Sequence, residues 1–352
     1  MTDTTHITGQ AWQLLRRLCA IPRVSRDEAA AANLLQCQMY GMGLHPQRHA
    51  HNLWCVRADH DDARPTLLLN AHIDTVRPAD TDNDRVGIDV EAEDILAARG
   101  ANDDGASLVA LLYVFALLPP QRYNIVFLAS AEEEVSGRNG LESVIPLLPR
   151  IDVALVGEPT QMQPAIAEKG LMVVDATARG VAGHAARNEG DNAIYRAMRD
   201  VWRLQQPMFD KVSPLLGPVK TTVTVINAGM VHNVVPDACT YTIDVRSNEL
   251  YTNQEILDIL QEELESELKA RSTRLASSRI DATHPLVRRA VELGREPFGS
   301  PTLSDQALMP WSSMKMGPGD SSRSHTAHEY ITKQELHEGI GLYMQLLDGL
   351  VI

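Results

Sequence analysis

Thr66-Leu67-Leu68-Leu69-Asn70-Ala71-His72-Ile73-Asp74-Thr75-Val76 is the stretch on which the fold of this chain turns. Its three consecutive leucines lack the apolar–polar alternation of a half-exposed strand, and they predict a strand buried on both faces of a parallel sheet. The apolar run stops at Asn70, and His72 and Asp74 follow two residues apart. On extended chain such residues point to the same side. The Asp74 carboxylate can then take one ring N–H of His72 and turn the other nitrogen towards a metal. The same spacing also occurs as a plain strand-end pair, so the motif needs further ligands before it carries chemistry.

Two more segments repeat the layout. Ile125–Leu128 is a second buried-type strand, and it runs into Ala129-Ser130-Ala131-Glu132-Glu133-Glu134-Val135-Ser136-Gly137. Three adjacent carboxylates repel one another unless a cation or a shared proton relieves them; a solvated acidic loop is the alternative. Val153–Val156 is a third strand and delivers Gly157-Glu158-Pro159-Thr160. Between the first two lies Arg99-Gly100-Ala101-Asn102-Asp103-Asp104-Gly105-Ala106, ahead of an apolar helix over 107–118. Acids between glycines suit either a helix cap or a tight turn that aims a carboxylate at the strand ends. Ligands at the carboxyl ends of strands are the rule in open α/β sheets. Three short strands, each followed by a candidate ligand, predict a site of that kind.

The bulk composition sets the frame. With 352 residues, 44% of them hydrophobic, the chain can bury a large core and form two domains. A formal charge of −14 and the lack of any long basic run argue against nucleic acid and anionic membranes as partners. The first residues have neither the basic start nor the apolar core of a signal peptide. The longest apolar run, Leu108–Leu118, is too short to span a bilayer, so a cytoplasmic protein is expected. Cys19, Cys37, Cys55 and Cys239 have no C-x-x-C spacing and read as buried thiols.

Residues 9–20 read as an amphipathic helix, with Trp12, Leu15 and Leu18 at helical spacing. Ser25 or Asp27 is placed to cap a second helix that runs through Met39, and Asn52–Arg57 reads as a strand. Pro78–Asp94, rich in Asp and without periodicity, reads as a long surface loop with short strands. From Gly170 to Ile280 the texture changes. Strand 173–178, helix 190–205, strands 221–227 and 238–246, helix 252–270 and strand 273–280 give the β-α-β-β-α-β order of a ferredoxin-like unit, inserted between two parts of the first domain. It contains His184 after a glycine-spaced turn, and Asn233 in His232-Asn233-Val234-Val235-Pro236. Residues 281–352 return to mixed helix and strand. There Asp305 reads as a helix cap, and Gly317-Pro318-Gly319 precedes His325 and His328.

With His72-x-Asp74, Asp103, Glu133-Glu134, Glu158 and His325 in this order, nearly the whole chain resembles a di-zinc metallopeptidase and deacylase family. Its members include acetylornithine deacetylase, succinyl-diaminopimelate desuccinylase, aminoacylase and carboxypeptidase G. The resemblance implies an α/β catalytic domain, residues 1–169 and 281–352, with a mixed, mostly parallel central sheet. It also implies an inserted ferredoxin-like α+β lid and dimerisation domain at 170–280. Two zinc ions per subunit, replaceable by cobalt, are implied, with His72 and Glu158 on one, Glu134 and His325 on the other, and Asp103 bridging. Asp74 would orient His72 and Glu133 would be the general base. His184 from the second subunit of a homodimer would stabilise the oxyanion, and Asn233 and Arg246 would contact the substrate. The chain departs from the family pattern in three places. Asp103-Asp104-Gly105 is one residue short and has no lysine, so either acid can be the bridge. The triplet Glu132-Glu133-Glu134 leaves the register open by one, with Gly137 favouring Glu133 as the base. His328 stands where the family has an acid, so His325 and His328 are both candidates; the four-residue step to Glu329 favours His325.

Gly157-Glu158-Pro159-Thr160, Gly317-Pro318-Gly319 and the Ser304–Pro310 run look most like the acetylornithine deacetylase branch. The expected substrate is therefore a small N-acyl amino acid, first N2-acetyl-L-ornithine in arginine biosynthesis. N-acetylcitrulline, an N-succinyl amino acid or a dipeptide are the alternatives. A metal carrier without catalysis would lack the base or His184, and both are present.

Overall fold

The computed structural model describes residues 4–77, 88–92, 94–187 and 189–352. They divide into two compact units, each with its own core. One comprises the described residues up to Ile166 with Arg279–Phe298 and Ser304–Ile352; the other is Ala167–Ser278 with Gly299–Leu303.

The first unit is built on a mixed, mostly parallel sheet. The strand Thr66–His72 is buried along its full length. It lies between two parallel neighbours, Asn124–Ser130 and Val153–Val156. Beyond Val153–Val156 the sheet continues with the parallel strand Ser312–Lys315; the antiparallel strand Asn52–Val56 lies on the outer side of Asn124–Ser130. Alternate residues enter two cores, which is why these strands show no polar face. Leu67, Leu69, Ile125, Phe127, Val153 and Leu155 join the larger core, whereas Leu68, Val126, Leu128, Ala154 and Val156 join the smaller one. The larger core also holds the helices Thr4–Cys19, Ala106–Leu117 and Lys333–Leu347. Residues 106–115 are all buried, as befits a helix that is apolar all round.

Several local expectations change on inspection. The first helix begins at Thr4, not at residue 9. The second, Ala29–Gly41, has Glu28 at its N-cap with no side-chain cap bond, so neither Ser25 nor Asp27 caps it. Ser25 donates to Asp74 Oδ2 instead, at 2.7 Å. The loop expected over Pro78–Asp94 lies largely outside the described residues, apart from a strand Ile88–Ala92 that pairs with Ile95–Ala98.

The second unit has the β-α-β-β-α-β order. Its strands run Gly170–Arg179, Lys220–Ala228, Ala238–Ser247 and Glu267–Ala270, and they pair antiparallel in the spatial order second, third, first, fourth. The helices Ala193–Arg203 and Asn253–Glu263 share one core with the strands. The helix expected over 252–270 ends at Glu263, and the fourth strand is 267–270, not 273–280. The cause is a contact distant in sequence. The buried Asp200 carboxylate accepts the N–H groups of Glu265 (2.9 Å) and Ser266 (3.0 Å), which draws the chain out of the helix.

Candidate metal centre

Strand register assembles the site. His72 stands opposite Ser130, and Asn70 opposite Val156, so parallel strands end nearly flush and the residues after each converge. His72 Nε2 lies 3.2 Å from Asp103 Oδ1 and 3.9 Å from Glu133 Oε2. His325 Nε2 lies 2.9 Å from Glu134 Oε2 and 3.6 Å from Asp103 Oδ2. One donor atom each of His72, Asp103 and Glu134 falls within 4.8 Å of the other two, close enough for metal coordination. Asp103 thus stands between the two histidines. His328 is exposed.

The surrounding contacts hold these groups in place. His72 Nδ1 faces the Asp74 carbonyl at 3.0 Å, with the Asp74 carboxylate at 3.5 Å. The two carboxylate oxygens of Asp74 accept the N–H groups of Glu133 and Glu134, both at 3.1 Å, so this residue also ties down the acidic turn. Glu132 leaves the cluster: its φ is +55°, and its carboxylate accepts from the Asn139 amide at 3.0 Å. Glu329 Oε1 accepts the N–H groups of Asn102 (3.0 Å) and Asp103 (2.9 Å) and so fixes the Asp103 turn. Asp104 lies beneath the site, fully buried, and accepts the His72 N–H at 3.3 Å. Gly317 has no room for a side chain, since a Cβ there would stand 2.5 Å from the Glu158 carbonyl oxygen.

Electrostatics mark an excess of negative charge. Burial pushes the Glu133 carboxyl well above the usual range, and repulsion from Glu158, Glu134 and Asp305 adds to it, against the pull of His72. Glu158 is raised well above it too, by burial and by Asp103, with the buried Lys315 in opposition. Asp104 is raised to about 7 and Glu329 to about 7, both chiefly by burial. For His72 burial works towards the neutral ring but is outweighed by hydrogen bonds to Asp103 and Asp74, which carry it well above 6.5. Asp103 is correspondingly lowered, burial being outweighed by His72.

Two predicted residues meet in the second unit. A two-residue ladder pairs Gly183–His184 with Val234–Val235, and the Ala185 N–H donates to the Asn233 carbonyl at 3.0 Å. His184 is exposed, and its Nδ1 accepts the Ala186 N–H at 3.1 Å. The neutral ring then carries its proton on Nε2, as a donor. Arg246 forks onto Asp244 of the same strand, at 2.8 and 3.1 Å.

Other participants carried little signal in the sequence. Asp305 is not a cap, because Ser304 takes that role. Asp305 instead accepts the Ser130 hydroxyl at 2.5 Å, and burial raises it to about 6. Glu329 is legible only as a four-residue step after His325.

Comparison with known proteins agrees with this geometry. The model of peptidase family M20/M25/M40 matches residues 68–349. Acetylornithine deacetylase of Myxococcus xanthus is 29% identical over 81% of this chain and 80% of its own. Succinyl-diaminopimelate desuccinylase of Delftia acidovorans is 26% identical over 66% and 67%. A dinuclear metal binding peptidase of Bacillus subtilis superposes with a TM-score of 0.73 at 15% identity, covering 97% of this chain and 98% of that one. The converging strand ends and the family match together make the chain a member of peptidase family M20/M25/M40.

Proposed function

We propose that this enzyme hydrolyses the amide bond of an N-acyl amino acid with the aid of two zinc ions, and that N2-acetyl-L-ornithine, giving L-ornithine and acetate in arginine biosynthesis, is the favoured substrate. The convergence of His72, Asp103, Glu134 and His325 is the observation that carries this reading. Imidazole nitrogen and carboxylate oxygen are the usual donors of a catalytic zinc. The raised carboxyls of Glu133 and Glu158 fit a site that a dication relieves. In this reading His72 and Glu158 hold one ion, Glu134 and His325 the other, and Asp103 both; cobalt can substitute. When bound, such ions polarise the scissile carbonyl and acidify a water.

The chain's own groups do the rest. Glu133 takes the proton of the attacking water and returns it to the leaving amine. His184 offers its Nε2–H to the developing oxyanion, a donor worth roughly 3–4 kcal/mol. Asn233 addresses the acyl carbonyl. Arg246 addresses the substrate carboxylate, exchanging its pairing with Asp244 for the ligand. A homodimer, with His184 supplied by the second copy, belongs to the same reading. The stripe of exposed Tyr195, Met198 and Trp202 on one helix supports it, since apolar patches of this kind mark interaction surfaces. A cytoplasmic location belongs to it as well; among the described residues no helix is long and apolar enough to cross a membrane. The desuccinylase relatives favour N-succinyl amino acids as the second reading, ahead of N-acetylcitrulline or a dipeptide.

The test is amine release from a panel of N-acetyl and N-succinyl amino acids and dipeptides, with metal-free protein and with added Zn²⁺ or Co²⁺. Metal-dependent release, fastest from N2-acetyl-L-ornithine, is expected. Turnover of succinyl-diaminopimelate or dipeptides alone would move the substrate there, and failure to bind metal would remove the reading.

A further inference from the structure

Past Ser130 the chain leaves the sheet, and its amide hydrogens lose their ladder partners. Four in succession are taken by side chains from elsewhere. Ala131 N–H donates to Asn52 Oδ1 (2.9 Å) and Glu132 N–H to Glu28 Oε1 (3.1 Å). Glu133 and Glu134 N–H donate to the two oxygens of Asp74. All three acceptors are fully buried. A buried amide left unpaired carries the full desolvation penalty, so this set of bonds decides the path of the turn. Glu28 is in turn held by bonds of its own. Its Oε1 also accepts the Arg26 N–H at 2.7 Å, and its Oε2 meets His51 Nδ1 at 2.7 Å, which fixes the carboxylate plane. The residue it holds, Glu132, has φ +55°, a conformation a non-glycine residue keeps only when its surroundings impose it.

We propose that Glu28 is a positioning residue for catalysis: by holding the Glu132 amide it sets the pitch of the turn that presents Glu133. The proposal rests on the reading of Glu133 as the base. The Glu28 carboxylate bonds Arg26, His51 and Glu132, none of them a proposed metal donor, so it acts through the backbone. An oxygen acceptor at this position is what the geometry requires, whether or not it is charged.

Three variants and two readouts test this. Glu28→Leu removes the acceptor, Glu28→Gln keeps an oxygen there, and Glu28→Asp draws it back by one methylene. In metal-free protein, amide hydrogen exchange over residues 131–135 is expected to quicken about tenfold or more in Glu28→Leu. The strand Asn124–Ser130 should keep its protection, and Glu28→Gln should stay near the parent. With zinc, and with whichever N-acyl amino acid of the panel turns over fastest, kcat of Glu28→Leu should fall roughly 10–100-fold, with KM within about twofold and zinc content unchanged. Unchanged exchange in Glu28→Leu, exchange raised equally along the strand, or a Gln variant as impaired as the Leu variant would each overturn the proposal. Should the Leu variant fail to fold, the order decides: Gln above Asp in kcat and protection supports it, and the reverse overturns it. Glu133→Gln is run alongside. If it keeps its activity the base reading falls, whereas the exchange result on Glu28 still stands.

Discussion

Glu133 and Glu134 are sequence neighbours whose carboxylates meet different partners, His72 for one and His325 for the other. A tight turn makes this divergence possible, and Asp74 pins the amides of both residues. Glu133→Gln should lower kcat by roughly 10²–10⁴-fold while zinc content, read by atomic emission, stays that of the parent. Glu134→Gln should instead bind less zinc. Equal zinc loss in both variants would contradict the division of roles. At this scale the sequence was informative where residue types cluster: His72, Asp103 and the acidic triplet announce themselves. It was silent on Glu28, Asn52 and Asp305, because a carboxylate that accepts a distant backbone amide looks like any other acid until the fold brings the two together. Asp305 looked like a cap because Asp favours that position; the cap is the residue before it.

Among the elements, apolar strands were legible and ends were not. Val153–Val156 has the bounds its apolar run suggests, whereas the helix Asn253–Glu263 stops where Asp200 captures the chain. Helical composition continues past Glu263, and only a tertiary bond ends the element. Thr252 and Glu255 form a reciprocal capping box at the start of that helix, so Thr252→Ala should cost about 1 kcal/mol by urea unfolding. A cap with a pH dependence begins the helix Pro285–Glu292. There His284 Nδ1 accepts the Leu286 N–H at 3.2 Å. Burial holds the imidazole below its ordinary 6.5, which favours the neutral, accepting form. Because the folded value is depressed, the stabilisation is complete above 6.5 and is lost as pH falls through the folded value. The urea midpoint of the parent should therefore fall relative to that of His284→Asn as pH is lowered from about 7.5 to about 5. A constant gap between the two would show that the cap does not titrate there.

For the whole molecule, the described donor side chains proposed for the metals all belong to the first unit. Bound zinc should stabilise that unit alone, by about 4 kcal/mol at a thousandfold excess over Kd. Chelation should then lower one calorimetric transition and leave that of the inserted unit in place; a shift of both would show that the units unfold together. Trp202→Glu should convert the proposed dimer to a monomer in light scattering, and a parent that is monomeric and fully active would contradict the proposed supply of His184 in trans. The two-unit organisation was visible in the change of strand texture near Gly170. The boundaries were less so, since Gly299–Leu303 joins the second unit from outside its main span.

The strand Ser312–Lys315 lies inside the central sheet, with Val153–Val156 on one side and Ala165–Glu168 on the other. Synthesis runs from the N-terminus, and pairings distant in sequence form slowly. On a ribosome the sheet therefore carries a gap until residue 315 has emerged, while the inserted unit, complete by Leu303, is already able to fold. His325 follows ten residues later. If these residues hold the metals as proposed, the nascent chain would offer His72, Asp103, Glu134 and Glu158 before His325 is made, and full metal loading would wait for that last donor.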